Sequence, residues 1–203
     1  MKIAITGGIG SGKSYVCRLL EQSGIRIYDC DSAAKRLMRT NPLLQQQLTS
    51  LIGPDTYVDG QLNKAAVASF LLQSKAHAQA IDAIVHPAVA HDFEQSGSQW
   101  MECAILFESG FHRLVDRIVA VTAPQQVRLQ RIMDRDHISR EKALQWMQQQ
   151  LPQEEVAQRA HFCIVNDGTQ PLEPQIRHLL QQIENIRDGA GNLSETKIIT
   201  NIH

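Results

Sequence analysis

A glycine-rich loop close to the N-terminus combines residue types that bind phosphate. Residues 7–14 read GGIGSGKS and match the pattern G-x-x-x-x-G-K-[ST] in full. In this pattern glycines let backbone N–H groups turn towards phosphate oxygens, and the N-terminus of the following helix favours the anion. Lys13 has the length to reach the β- and γ-phosphates, and the Ser14 hydroxyl is a ligand for Mg²⁺. The glycine loop (residues 7–14) therefore predicts a nucleoside triphosphate site, with contacts from Gly8, Ile9, Gly10, Ser11, Gly12, Lys13 and Ser14.

Arginines further along the chain form a second group with chemical potential. Arg128, Arg131 and Arg135 are spaced i, i+3 and i+7, which places them on one face of a single helix. Arginines near a triphosphate neutralise the charge that develops on a transferred phosphoryl group. Arg140, at the start of the next predicted helix, is a fourth candidate. For any one of them, the alternative is a solvated basic face paired with neighbouring carboxylates.

Three acidic residues and a histidine are candidates for orienting or deprotonating an acceptor hydroxyl. Asp31 follows the second predicted strand, where a carboxylate can accept a hydroxyl proton or hold Mg²⁺ through water. Asp29 fits the same position, and the structural alternative is that Asp31 or Ser32 is the N-cap of the next helix. Glu108 ends the third predicted strand. His86 precedes a proline, and alone it is more typical of a structural role.

Hydrophobic patterning predicts the elements that position these residues. Strands are predicted at 2–6, 25–29, 99–108, 117–123 and 161–167. Helices are predicted at 13–24, 32–40, 43–53, 63–73, 76–96 with an interruption at 86–87, 124–136, 139–151 and 171–187. This alternation indicates an α/β fold with a parallel five-stranded sheet flanked by helices. Ligands bind at the carboxyl ends of such strands, where the glycine loop, Asp31, Glu108 and residues 166–168 lie.

The same patterning predicts one domain over residues 1–187. Its core comprises about 1–30, 99–123 and 160–187, with a helical lobe at about 31–98 and a helical lid at about 124–151. The tail, 188–203, has weak periodicity and is predicted to be disordered in part.

Composition limits the class of protein. The chain has 203 residues and a formal net charge of −1, so no global field attracts nucleic acid or an anionic membrane. No apolar run approaches the ~20 residues that span a bilayer, and no signal segment precedes the first strand. The four cysteines have no metal-binding spacing, which indicates reduced thiols. We expect a cytoplasmic protein, monomeric or a weak homo-oligomer, that acts on a small molecule.

Among phosphate-loop proteins, a small kinase fits best. A GTP-dependent switch would carry N-K-x-D, but residues 63–66 read NKAA, and the only candidate D-x-x-G lies in the tail at 188–191. A motor or large ATPase would need a longer chain. The predicted sheet, inserted lobe and arginine-bearing lid together suit transfer of a phosphoryl group to a small acceptor. A nucleoside or nucleoside-monophosphate kinase, and a nucleotide-dependent switch, remain the alternatives.

Six segments follow one another in a specific order along the chain. They are TGGIGSGKS (6–14), DCDSAAKRL (29–37), HP (86–87), AILFESG (104–110), QRIMDRDHISREKA (130–143) and VNDG (165–168). In this order they resemble the phosphate loop, D-A-D stretch, His-Pro pair, P-L-L-F-E segment, lid and closing N-x-G of the dephospho-coenzyme A kinase family. The resemblance extends over about residues 1–186, and the ordered set is far more specific than the phosphate loop alone.

This resemblance implies ATP- and Mg²⁺-dependent phosphorylation of the ribose 3′-hydroxyl of dephospho-coenzyme A, the last step of coenzyme A synthesis. It implies that Asp31 orients or activates the hydroxyl, and that His86 and Glu108 line the acceptor pocket. Arg135 would act in catalysis from the lid with Lys13 in the loop. Arg131 would contact the nucleotide, and Asn166 would lie near the adenine.

Three positions depart from the family pattern. Tyr15 replaces the common threonine after Lys-Ser, and Ala104 replaces a proline. The stretch AHF at 160–162 lacks the aspartate that usually follows the alanine. None of these departures removes a predicted catalytic group.

Overall fold

The computed structural model describes residues 1–189, and its central element is a parallel sheet. The strands of the chain are β1 (Ile3–Thr6), β2 (Ile27–Asp29), β3 (Tyr57–Val58), β4 (Gln61–Leu62), β5 (Trp100–Glu102), β6 (Arg117–Thr122) and β7 (Phe162–Val165). Five of them form one sheet in the order β2-β5-β1-β6-β7, while β3 and β4 form a separate antiparallel hairpin. Strand β1 pairs in parallel with both β5 and β6, and β6 pairs in parallel with β7. The predicted α/β fold with a parallel five-stranded sheet is confirmed.

Helices connect the strands and account for most of the remaining described residues. They are α1 (Lys13–Gln22), α2 (Cys30–Thr40), α3 (Pro42–Ile52), α4 (Lys64–Gln73), α5 (Lys75–Gln95), α6 (Gln125–Asp136), α7 (Arg140–Gln148), α8 (Gln153–Arg159) and α9 (Leu172–Arg187). None of the helices within residues 1–189 is long and apolar enough to cross a membrane. The four cysteines, all within residues 1–189, form no disulfide with one another.

The chain forms two compact units. Of the described residues, the first contains 1–27 and 98–189, and the second contains Tyr28–Gly97. The second unit includes α2 to α5 and the β3–β4 hairpin. The predicted tail, apart from Asp188 and Gly189, lies outside the described residues.

The core of the first unit explains why the glycine loop has a fixed starting point. Ile3 and Ile5 of β1 have no exposed surface. They belong to one apolar cluster with Val16 and Leu20 of α1 and with Leu179 of α9. Parallel strands are covered by helices, so such strands are short continuous apolar runs. This packing holds the carboxyl end of β1, from which the loop departs.

The predicted interruption of the long helix at residues 86–87 is wrong. Helix α5 runs from Lys75 to Gln95 with Pro87 inside it. Proline removes one hydrogen bond from the helix ladder. Val85, Val89 and Phe93, spaced four residues apart, are all buried. Because this apolar stripe packs on both sides of the proline, tertiary contacts outweigh the local defect.

The third strand is much shorter than predicted. Strand β5 ends at Glu102, and residues 104–109 form consecutive turns in which Ser109 N–H donates to Ile105 O and Gly110 N–H to Phe107 O. A short apolar run does not distinguish a strand from buried turns. Glu102, rather than Glu108, therefore stands at the carboxyl end of this strand.

Helix α8, of seven residues, was not predicted at all.

Candidate active site

The glycine loop is closely packed by other parts of the first unit. Gly10 and Gly12 have φ angles of 80° and 89°, which side chains rarely adopt. A Cβ atom on Gly10 would lie 2.6 Å from the backbone oxygen of Arg128, and one on Gly12 would collide with the Asn166 amide. The glycines are thus required by the packing of α6 and Asn166, as well as by the approach of a ligand.

The junction of loop and α1 presents hydrogen-bonding groups that the protein does not use. Within residues 1–189, no backbone acceptor receives the N–H groups of Gly10, Gly12, Lys13 or Ser14, and α1 has no side-chain cap. The Ser11 hydroxyl oxygen is buried and has no partner in the same part of the chain. Unsatisfied N–H groups at a helix N-terminus attract an anion. The local geometry therefore fits a phosphate group.

Lys13 brings a positive charge to this junction. Burial lowers the pKa of its ammonium group, and the nearby Glu102 carboxylate acts in the opposite direction. A cation with reduced access to water gains most from a polyanionic ligand, because the low local dielectric strengthens their attraction. Lys13 is therefore well placed to bind phosphate oxygens.

Ser14 and Glu102 form a pair that the sequence interpretation overlooked. The Ser14 hydroxyl donates a hydrogen bond to Glu102 Oε1 at 3.2 Å. Among the described residues there is no cluster of three or more acidic, histidine or cysteine side chains for a metal. Mg²⁺ is commonly held by one or two carboxylates together with substrate phosphates and water, and a hydroxyl with one carboxylate suits that mode. The sequence feature that could have identified Glu102 is an acidic residue at the end of a short apolar strand.

Two of the predicted arginines lie against the glycine loop. Arg128 is only 6% exposed, and its Nε donates to the backbone oxygen of Ile9 at 2.9 Å. Burial lowers the pKa of Arg128, opposed by Glu154. Arg131 Nη1 lies 3.4 Å from the backbone oxygens of Gly10 and Ser11. A solvated basic face does not describe these two residues.

Asn166 completes this part of the site. It is buried; its Nδ2 donates to the backbone oxygen of Ser11 at 2.9 Å, and its Oδ1 accepts from Arg131 Nη2 at 3.3 Å. Arg131 and Asn166, which are 35 residues apart, thus both support the glycine loop at the backbone oxygen of Ser11.

The third predicted arginine has a different environment. Arg135 is largely exposed, and its guanidinium forms an ion pair with the adjacent Asp136 at 2.7 Å. Arg140 is the first residue of α7. The solvated, paired alternative therefore describes Arg135 in this structure, and its role in catalysis stays a prediction.

The segment after α7 also touches the glycine loop. The N–H of Ile9 donates to Gln150 Oε1 at 2.7 Å, and the N–H of Leu151 donates to Glu108 Oε1 at 3.1 Å. Glu108 thus accepts a hydrogen bond from the end of the segment predicted to form the lid. Sequence reasoning missed Gln150 because it lies in a run of glutamines with no motif.

In the second unit, the structure separates the roles of Asp29 and Asp31. Asp29 caps α2, accepting hydrogen bonds from the N–H groups of Asp31 and Ser32 at 2.9 and 3.0 Å. The predicted cap by Asp31 or Ser32 is wrong because α2 begins at Cys30. The Asp31 side chain is 80% exposed and accepts a bond from Lys35 Nζ at 2.5 Å.

His86 lies inside α5 of the second unit. Its Nε2 is 3.6 Å from Asp82 Oδ1, one helical turn earlier. That neighbour fits a histidine oriented within its own helix, and the predicted role of His86 in the acceptor pocket stays a prediction.

Comparison with known proteins identifies the family of this chain. A family model described as dephospho-CoA kinase (CoaE) matches residues 1–171. The chain belongs to the dephospho-CoA kinase family. A dephospho-CoA kinase of Bacteroides fragilis is 43% identical over 187 residues, covering 89% of this chain and 91% of that protein.

Solved structures show the same fold. The crystal structure of TT1252 from Thermus thermophilus has a TM-score of 0.77 at 31% identity, covering 90% of this chain and 97% of that one. A dephospho-CoA kinase from Campylobacter jejuni has a TM-score of 0.63 at 20% identity, covering 94% of this chain and 100% of that one, and shares the fold.

The three departures from the dephospho-CoA kinase pattern have different environments in the structure. Tyr15 is 46% exposed, and Ala104 is exposed in the turns after β5. His161 stands where the family usually has aspartate, and its Nδ1 accepts the N–H of Ile118 at 3.1 Å. The imidazole nitrogen is thus the hydrogen-bond acceptor for this backbone N–H.

Proposed function

We propose that this protein is an ATP-dependent dephospho-CoA kinase, which phosphorylates the ribose 3′-hydroxyl and yields coenzyme A and ADP. The observation that carries the proposal is the unsatisfied junction of loop and α1 beside Lys13 and the Ser14–Glu102 pair, in a chain that belongs to this family. The cytoplasmic location and the monomeric or weakly oligomeric state stay predictions.

The nucleotide phosphates would occupy the glycine loop. The free N–H groups of Gly10, Gly12, Lys13 and Ser14 would donate to phosphate oxygens, and the Lys13 ammonium would bind the β- and γ-phosphates. The residues that contact the loop from outside, Arg128 and Arg131, keep it in the conformation that presents those groups. Positioning of this kind is the main contribution of the protein to phosphoryl transfer.

The same residues fit a magnesium ion. Ser14 and Glu102 would hold it, since both are oxygen ligands and already lie within hydrogen-bond distance of each other. When bound there, Mg²⁺ would offset part of the negative charge of the nucleotide phosphates.

Asp31 is proposed to position the acceptor. Its exposed carboxylate would accept a hydrogen bond from the 3′-hydroxyl, so that the oxygen lone pair faces the γ-phosphorus. The hydroxyl oxygen then forms a bond to that phosphorus while the bond to the β–γ bridging oxygen breaks, and ADP leaves. The hydroxyl proton passes to Asp31 or to water. Because the transition state is loose, orientation matters more than early deprotonation.

The remaining predicted residues have supporting roles in this proposal. Arg135 would neutralise charge on the transferred group once released from Asp136, and Asn166 would lie near the adenine. His86 and Glu108 would line the acceptor pocket.

An acceptor panel tests the proposal against the nucleoside and nucleoside-monophosphate kinase alternative. The purified protein, ATP and Mg²⁺ are offered dephospho-coenzyme A, AMP, CMP and shikimate, and ADP release is followed. We expect dephospho-coenzyme A to give the largest kcat/KM. A larger kcat/KM with any other acceptor would overturn the proposal.

A further inference from the structure

A basic groove lies on the second unit beside the helix that carries Asp31. It has a volume of about 640 Å³ and is lined by Lys35, Met38 and Arg39 of α2, by residues 60–62 of the β3–β4 hairpin and by Lys64. The lining contains three cationic side chains and no acidic one. We call this feature the basic groove.

The positive charges of the basic groove are largely available to a ligand. Within residues 1–189, neither Arg39 nor Lys64 forms an ion pair. Arg39 Nε donates to the backbone oxygen of Lys35 at 3.0 Å, which leaves both Nη groups for other acceptors. Lys35 uses one of its three N–H bonds for Asp31. Three cations with a single carboxylate partner favour an anionic occupant.

The spacing along α2 relates this groove to Asp31. Residues 31, 35 and 39 are four apart and lie on one face of the helix. At 1.5 Å per residue, Lys35 and Arg39 are roughly 6 and 12 Å along the axis from Asp31. In dephospho-coenzyme A, only sugar carbons and one ester oxygen separate the ribose 3′-hydroxyl from the 5′-diphosphate. A ligand of that shape can meet Asp31 and the groove together.

We propose that the basic groove binds the diphosphate of dephospho-coenzyme A while Asp31 orients the 3′-hydroxyl of the same molecule. This inference rests on the proposed function and adds a specificity determinant to it. Arg39 and Lys64 provide charge-assisted hydrogen bonds to phosphate oxygens. Met38 and Leu62 border the groove and would contact the beginning of the pantetheine arm.

The double variant Arg39→Gln/Lys64→Gln tests the groove. It should raise the KM for dephospho-coenzyme A by about tenfold or more, since two charged donors to the diphosphate are lost. The KM for ATP should stay within about twofold of the wild type, because the change removes binding of the acceptor alone. Lys75→Gln, an exposed lysine of the same unit outside the groove, is the matched control and should leave both values unchanged.

Adenosine, which has the 3′-hydroxyl but no diphosphate, identifies the part of the acceptor involved. Its inhibition constant against dephospho-coenzyme A should be the same for the double variant and the wild type. An unchanged KM for dephospho-coenzyme A, or an equal loss of affinity for adenosine, would overturn the groove proposal.

Wild-type activity on dephospho-coenzyme A decides the proposed function separately, before any variant is compared. Thermal unfolding checks folding, and Lys64→Gln alone repeats the test without changing the Arg39–Lys35 contact.

Discussion

At the scale of single residues, the site depends on pairs whose chemistry is complementary. Ser14 donates a hydrogen bond from its hydroxyl to the Glu102 carboxylate. The Lys13 ammonium group interacts electrostatically with the same carboxylate. Asp31 is held by Lys35, while Asp29 takes the structural task of capping α2. Because Asp29 caps the helix, the Asp31 carboxylate is not used as a cap.

Glu102→Gln should weaken the use of magnesium. The substitution keeps the size of the side chain but removes the charge beside Ser14, so the half-saturating Mg²⁺ concentration should rise by about tenfold. ADP release at a series of Mg²⁺ concentrations measures it. Glu108→Gln is the control, because Glu108 accepts the N–H of Leu151 and should not change the magnesium dependence. Equal magnesium curves for Glu102→Gln and the wild type would contradict the assignment.

Asp31→Asn should slow transfer without affecting nucleotide binding. An amide cannot take the hydroxyl proton and orients it less well, so kcat should fall by roughly 100-fold or more. The dissociation constant for ATP, measured by titration, should be nearly unchanged. A kcat within about threefold of the wild type would show that Asp31 does not act on the acceptor.

At the scale of elements, the segment predicted to form the lid, 124–151, contacts the glycine loop. Helix α6 packs Arg128 and Arg131 against the loop, and the segment after α7 provides Gln150 as the acceptor for Ile9 N–H. In the same unit, the N–H of Ile118 in β6 donates a hydrogen bond to Nδ1 of His161, which lies just before β7.

Gln150→Ala should loosen the glycine loop. Ile9 N–H loses its acceptor, so amide exchange across residues 7–14 should become faster and the KM for ATP should rise by roughly threefold to tenfold. Hydrogen exchange and steady-state kinetics measure the two effects. Gln148→Ala, two residues earlier and exposed, is the matched control. Unchanged exchange in the loop would show that Gln150 does not hold it.

His161 should make stability depend on pH. Partial burial, followed by the nearby Arg117, lowers its pKa below the ordinary value. The unfolded chain therefore binds the proton more tightly, and the free energy of unfolding should fall as pH drops from about 6.5 towards the lowered pKa. In His161→Asn, whose amide oxygen can accept the same N–H, this part of the pH dependence should disappear. Denaturant titrations between pH 5 and 8 measure it, and identical slopes for both proteins would refute the assignment.

At the scale of the whole molecule, nucleotide binding should raise the free energy of unfolding and therefore the Tm. A ligand that binds only the folded protein at about 100 times its dissociation constant adds roughly 2.7 kcal/mol, or about 5–10 °C in Tm for a chain of this size. MgATP without an acceptor should produce this shift in the wild type. Lys13→Ala should reduce it strongly at the same MgATP concentration. An equal shift in Lys13→Ala would contradict the phosphate role of Lys13.

Much of the fold could be predicted from the sequence because its signals are local. The apolar runs of β1 and β6, the helical periodicity of α1 and α9, and the glycine loop between β1 and α1 are each contained in a few consecutive residues. Errors arose where packing outweighed local preference, as at Pro87 within α5. They also arose where an apolar run was compatible with two structures, as after Glu102.

The sequence by itself determined the phosphate-binding chemistry, the alternation of strands and helices, and the ordered resemblance to one kinase family. Only the tertiary structure paired Ser14 with Glu102, Ile9 with Gln150, and Arg128 with the loop, across separations of 88, 141 and 119 residues. It alone showed that Asp29 rather than Asp31 caps α2. The physical reason is that spacing within one element follows from backbone geometry, whereas partners between elements follow from how the apolar faces pack.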